Sequence, residues 1–121
     1  MSLIGGVRLL EFKIIHDQFE RVKKGSKDIE IRLNDTKRKN IVVGDDIQLT
    51  DLDTDCRLIV IVKKLEIFAS FFELFSKYTG LRVGSNENES IDELVSDMYS
   101  FYSVSDEKRF GVLAIFVNLI H

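Results

Sequence analysis

Residues 24–35 read Lys24-Gly25-Ser26-Lys27-Asp28-Ile29-Glu30-Ile31-Arg32-Leu33-Asn34-Asp35, and the alternation within them decides the fold. Polar and apolar side chains alternate over 27–33, as in a strand with one buried face. Ile29, Ile31 and Leu33 therefore point to a core, while Asp28, Glu30 and Arg32 share the opposite face. Upstream, Gly25 is suited to the left-handed position that closes a helix. Asp17-Gln18-Phe19-Glu20 has the cap-and-acid spacing of that helix's start, which sets Phe19 and Val22 against the core. A first strand over 9–13 precedes it. Downstream, Asn34-Asp35 begins a turn, 36–40 is a basic loop or single helical turn, and Gly44-Asp45 opens a strand running to Leu49. A polar hairpin turn over 51–55 leads into 57–67, whose Val and Ile content marks a central strand. Ser70-Phe71-Phe72-Glu73 and Ser90-Ile91-Asp92-Glu93 are capping boxes that start helices over 71–78 and 91–99. Between them 80–89 reads as an exposed, mobile loop. A helical turn over 105–109 and a closing strand over 111–119 complete the order β-α-β-β-β-α-α-β. That order lacks the βαβ rhythm of a doubly wound sheet and predicts an α+β fold around a small, strongly curved mixed sheet or barrel.

At 121 residues and 45% apolar content, the chain suits one domain with a real core. The lone Cys56 cannot form an internal disulfide, which favours a reducing, cytoplasmic setting. The opening Met1-Ser2-Leu3-Ile4-Gly5-Gly6 lacks the basic and long apolar parts of a secretory signal, and Met1 to Leu3 is compatible with a cloning scar. The longest apolar run, 112–117, is too short to span a bilayer, so no membrane partner is expected. Neither His16, read as sitting near the first helix's start, nor the terminal His121 has a partner at metal-ligand spacing, so no metal or other cofactor is expected.

Net charge is only −3, but it is segregated. Segment 21–39 holds eight basic residues (Arg21, Lys23, Lys24, Lys27, Arg32, Lys37, Arg38, Lys39) against three acidic ones, whereas 83–107 holds seven acids and no Lys or Arg. A polyanion is expected to meet the first segment and avoid the second.

The stretch 24–35 also resembles the G-x-K-x-x-E-x-R-x-x-D signature of ASCH domains, the activating signal cointegrator homology family, in the PUA-like fold superfamily. Lys37-Arg38, Val43-Gly44-Asp45, Phe101-Tyr102-Ser103 and Gly111-Val112-Leu113-Ala114-Ile115 resemble small bacterial members of the same group. The resemblance spans most of 12–117 and implies a single ASCH domain over 1–121, a PUA-like small mixed β-barrel with helices packed around it, and a cleft that binds RNA.

The residues themselves agree with that implication. Lys27, Glu30 and Arg32 near one strand end suit a nucleotide, with Arg32 a planar donor fork and Glu30 an acceptor for an exocyclic amine. Lys24, Lys37, Arg38 and Lys39 would hold phosphates without reading sequence. Tyr102 is a candidate stacking surface; Phe101 is a weaker one, since a phenylalanine at that position is more often core. The expected partner is RNA, a nucleotide or a modified nucleoside. One branch of the ASCH group is similar to amidohydrolases that remove the acyl group from acylated cytidine, using a lysine, a threonine and a glutamate. Lys27 matches the lysine, Glu30 stands at the threonine position, and Glu87 is the nearest match to the glutamate; a carboxylate beside the lysine favours binding over base catalysis. A protein-interaction role for the acidic 83–107 segment is a further alternative.

Overall fold

The structure is a computed structural model that describes residues 2–4 and 7–120, with side chains from Leu9 onward. Met1, the first residue of the stretch compatible with a cloning scar, and His121 lie outside the described residues. Six strands, β1 (Ser2–Ile4), β2 (Val7–Ile14), β3 (Ile29–Leu33), β4 (Asp46–Asp51), β5 (Arg57–Phe68) and β6 (Val112–Leu119), form one sheet in the order β1-β2-β4-β5-β6-β3. The β2/β4 pair is parallel and the others are antiparallel, so the sheet is mixed as the sequence predicts. It curls into a half-barrel. The barrel expected from the resemblance does not close, because β1 and β3 remain edges. A register shift between Val62 and Lys64 interrupts the long strand β5 where it pairs with β6, the device that bends a sheet.

Both faces of the sheet are covered. On one face Leu10, Phe12, Ile14, Ile47, Leu49, Val60, Leu113, Ile115 and Val117 enclose Phe19 and Val22 of helix α1 (His16–Lys23). On the other, Ile29, Ile31, Leu33, Val112, Ala114 and Phe116 meet Phe71, Leu74 and Phe75 of α2 (Phe71–Lys77) and Leu94 of α3 (Ile91–Met98). The strict alternation along β6 feeds these two cores in turn. Strand β3 lies against β6 with Glu30 opposite Ile115 and Arg32 opposite Leu113, which aims both charged side chains toward the α1 core. The expected half-buried strand is thus buried on both sides.

Local chemistry explains most boundaries. Gly25 takes the left-handed conformation that ends α1, at φ +86°. The start of α1 differs from expectation: Ile15 is the N-cap and makes no side-chain cap, while Asp17 lies in the first turn and pairs with Arg21 at 3.1 Å. Ser90 and Glu93 form a full capping box, but at Ser70 only half of one is present, because the Glu73 carboxylate accepts instead from the amide of Ala69. Residues 80–89 are not a free loop. A 3₁₀ turn over Gly80–Val83 buries Val83, and the Arg82 guanidinium donates to both oxygens of Asp28 at 2.9 and 3.1 Å. Helix α4 (Val104–Phe110) contributes Glu107, whose buried carboxylate accepts from the Phe71 amide at 2.8 Å and the Tyr99 hydroxyl at 2.7 Å. That carboxylate ties the helical layer together.

Candidate functional site

Strand β1 pairs only with the first residues of β2, from Val7 to Leu9. The rest of that edge faces β3 across the gap where the barrel fails to close. Arg32 bridges the gap: its Nη2 donates to the Lys13 carbonyl at 3.2 Å, and its guanidinium lies 4.6 Å from the Phe12 ring centroid. Beside this bridge opens a cleft of about 650 Å³, walled by the ends of β2 and β3, by α1, by 83–86 and by the end of α3.

Lys27 and Glu30 form its floor and are 6% and 7% exposed. The Lys27 ammonium donates to Gln18 Oε1 at 2.7 Å and to Glu30 Oε1 at 3.1 Å. Glu30 Oε1 also accepts from the Ile31 amide at 3.2 Å. Glu30 Oε2 lies 3.6 Å from Arg32 Nη2 and accepts no hydrogen bond among the described residues. Burial pushes the Glu30 carboxyl upward, but the Lys27 and Arg32 cations and the hydrogen bonds outweigh it and hold the group below the usual carboxylate range. Glu30 is therefore a buried carboxylate with one oxygen unsatisfied, a state that costs free energy until a donor reaches it.

Helix α1 couples this floor to the far wall. Gln18 Nε2 donates to the Gly84 carbonyl at 3.0 Å while its Oε1 accepts from Lys27, and Arg21 reaches Ser85 O and Asn86 Oδ1. Gly84 sits at φ +86°, and a Cβ there would lie 2.0 Å from Gln18 Oε1. Exposed Ile15, Leu52 and Phe101 line the cleft beside the exposed polar residues Lys13, Asp17, Asn86 and Asp97, and Phe101 is 65% exposed.

Of the residues singled out from sequence, Lys27, Glu30, Arg32 and Tyr102 meet in this cleft. Tyr102 is half-buried and stacks on Phe71 at 5.7 Å, with its hydroxyl pushed up by burial against the opposing pull of Arg32 and Arg38. Phe101, read as more often core, is instead the exposed ring. Lys24, Lys37 and Lys39 are exposed and lie outside the cleft lining. Arg38 pairs with Asp35 at 2.8 Å and lies 5.6 Å from the Phe12 ring, so it is positioned rather than free. Glu87 is exposed and outside the cleft; Glu89 lines it. The acidic segment does not stand apart from the basic one, since Glu89 and Asp97 share the cleft with Lys27 and Arg32. Sequence reasoning missed Gln18, although Gln18 and Arg21 lie three apart on one helix face beside the core pair Phe19 and Val22, the spacing that marks a shared stripe. His16 also does more than start a helix. Its Nδ1 lies 2.6 Å from Asp51 Oδ2, and Asp51 further accepts from Asp53 N and Thr54 Oγ1, closing the β4–β5 turn. His16, Glu20 and Asp51 have ligand atoms within 4.8 Å of one another, but the Asp51 oxygens are already engaged in those bonds.

No protein-family model and no curated protein matches the chain. Among solved structures, the crystal structure of hypothetical protein PH0355 is 34% identical, with a TM-score of 0.82 over 93% of this chain and 99% of that one. The chain belongs to one family with PH0355. The solution structure of protein PF0455 from Pyrococcus furiosus is 29% identical, with a TM-score of 0.72 over 93% of this chain and 98% of that one. Neither name states an activity. No described helix is long and apolar enough to cross a membrane.

Proposed function

We propose that this chain is a cytoplasmic ASCH-type, PUA-like domain that binds a nucleotide, free or within single-stranded RNA, with the base in the cleft. The observation that carries the reading is Glu30: a buried carboxylate flanked by two cations, with one oxygen lacking a donor, on the floor of a cleft that also exposes the Phe101 ring. Nucleobases supply what such a site lacks, namely N–H donors and carbonyl acceptors in one plane on a flat apolar body. Phe101 offers a stacking face, worth roughly 1–3 kcal/mol per base. Lys37 and Lys39, outside the cleft, suit phosphates of a longer strand.

Binding is better supported than hydrolysis of an acylated cytidine. Lys27 is held in an ion pair by Glu30, which stands where the hydrolytic branch of the ASCH group has threonine, and Glu87 lies outside the cleft. The test is calorimetric titration of nucleoside monophosphates and short RNA into wild type, Lys27→Arg and Lys27→Ala, alongside an assay for release of the acyl group. Lys27→Arg keeps the charge and is expected to retain binding better than Lys27→Ala, with no turnover by any of the three. Efficient wild-type turnover abolished by Lys27→Arg would reverse the assignment, because arginine cannot give up a proton to act as a base.

A further inference from the structure

We propose that the cleft selects a base with a cyclic imide edge, carbonyl, N–H and carbonyl in a row, and that among the common ribonucleotides its ligand is the uracil nucleotide. This rests on the nucleotide-binding reading above and narrows it to one base.

The selection follows from the order of donors and acceptors on the floor. An ammonium has three N–H donors. Lys27 spends two, on Gln18 Oε1 and Glu30 Oε1, leaving one. Lys27 lies against Glu30 Oε1 and Arg32 against Oε2, so the two cations flank the carboxylate at its two oxygens. Oε1 is engaged by Lys27 and the Ile31 amide; Oε2 is without a donor. Arg32 commits Nη2 to the Lys13 carbonyl and keeps further N–H groups of its fork. The array is thus donor, acceptor, donor. Glu30 is ionised, held below the usual carboxylate range, so it cannot turn into a donor near neutral pH.

A ligand that satisfies the array must present acceptor, donor, acceptor. The uracil edge does so with O4, N3–H and O2. Cytosine turns an amine toward a cation and its bare N3 toward the carboxylate, giving two mismatches. The Watson–Crick edge of guanine ends in a second donor that would face a cation. Adenine, through N6 and N7, meets two of the three positions. Each unmet position leaves a buried polar group without its partner, and a good pairing typically discriminates by about 10-fold or more.

The experiment is calorimetric titration of uridine, cytidine, adenosine and guanosine 5′-monophosphates into the wild-type protein and Glu30→Gln, with 3-methyluridine 5′-monophosphate as the ligand lacking the N3–H. The expected result is that the uridine nucleotide binds at least tenfold tighter than the other three, that N3-methylation removes this advantage, and that Glu30→Gln narrows it. Binding of another base as tightly as uracil, or indifference to N3-methylation, overturns the imide assignment while leaving nucleotide binding in place. Failure of all four nucleotides to bind overturns both.

Discussion

Replacing Lys27 by methionine removes one half of a buried ion pair and leaves Glu30 with only Arg32 at 3.6 Å and the Ile31 amide as support. Breaking one side of such a pair typically costs about 3–5 kcal/mol, and the remaining guanidinium places Lys27→Met near the lower end, about 3 kcal/mol. For a chain of this length that corresponds to a fall in Tm of roughly 12 °C. Lys27→Met combined with Glu30→Gln removes both charges yet keeps an acceptor for the Ile31 amide, so it is expected to recover at least about 2 kcal/mol of the loss. The pH dependence gives an independent check. In the wild type the Glu30 carboxyl is depressed, so its contribution is present above the unfolded value of 4.5 and is lost as pH falls through the lower folded value. Without Lys27, burial dominates and the folded value rises, so the penalty of the single variant is greatest near neutrality and shrinks as pH falls toward 4. Urea denaturation of the two singles and the double at pH 7 and pH 4.5 measures all of this. A loss under about 0.5 kcal/mol for Lys27→Met, or a double variant no more stable than the single, would show that the pair is not desolvated and refute the reasoning.

Three further outcomes follow from the same geometry. Hydrogen bonding to Asp51 raises the His16 pKa above 6.5, so its stabilisation is complete below 6.5 and is lost as pH rises through the folded value; Tm measured from pH 6 to 9 should fall in the wild type by a step that His16→Gln removes. Gly84→Ala forces a Cβ to 2.0 Å from Gln18 Oε1 at a φ of +86°, and is expected to destabilise by about 1–3 kcal/mol in chemical denaturation and to expose 84–86 to faster amide exchange. Reversing Lys37 and Lys39 to glutamate should flatten the log-log salt dependence of single-stranded RNA binding by about 1–2 units, and an unchanged slope would mark these lysines as a solvated face.

The alternation around Ile29, Ile31 and Leu33, the left-handed Gly25 and the β-branched run of β5 were enough to read the mixed α+β sheet and its central strand, because each depends on local chemistry. The three-residue cluster Lys27, Glu30 and Arg32 was legible for the same reason, since strand period two and a two-residue spacing suffice to bring the last two together. What lay beyond reach was long-range. That β3 is buried on both faces depends on α1 packing from one side and α2 from the other, and neither is encoded near 29–33. Residues 80–89 look like a polar loop in isolation, and only Gln18, Arg21 and Asp28, more than fifty positions away, fix them as a wall. Phe101 appeared fit for the core by composition, yet it lies at the mouth because Tyr102, its neighbour, takes the place against Phe71.

The central claim is that the cleft over Lys27 and Glu30 holds a nucleobase, and a titration followed by nuclear magnetic resonance tests it most directly. Uridine 5′-monophosphate added to isotope-labelled protein is predicted to shift the side-chain signals of Gln18 and Arg32 and the amides of Ile31, Ser85, Phe101 and Tyr102, all lining the cleft. Saturating shifts confined to residues outside that cleft, such as 63–66 on β5 or Phe72 and Glu73 on α2, with Gln18 and Arg32 unmoved, would contradict it.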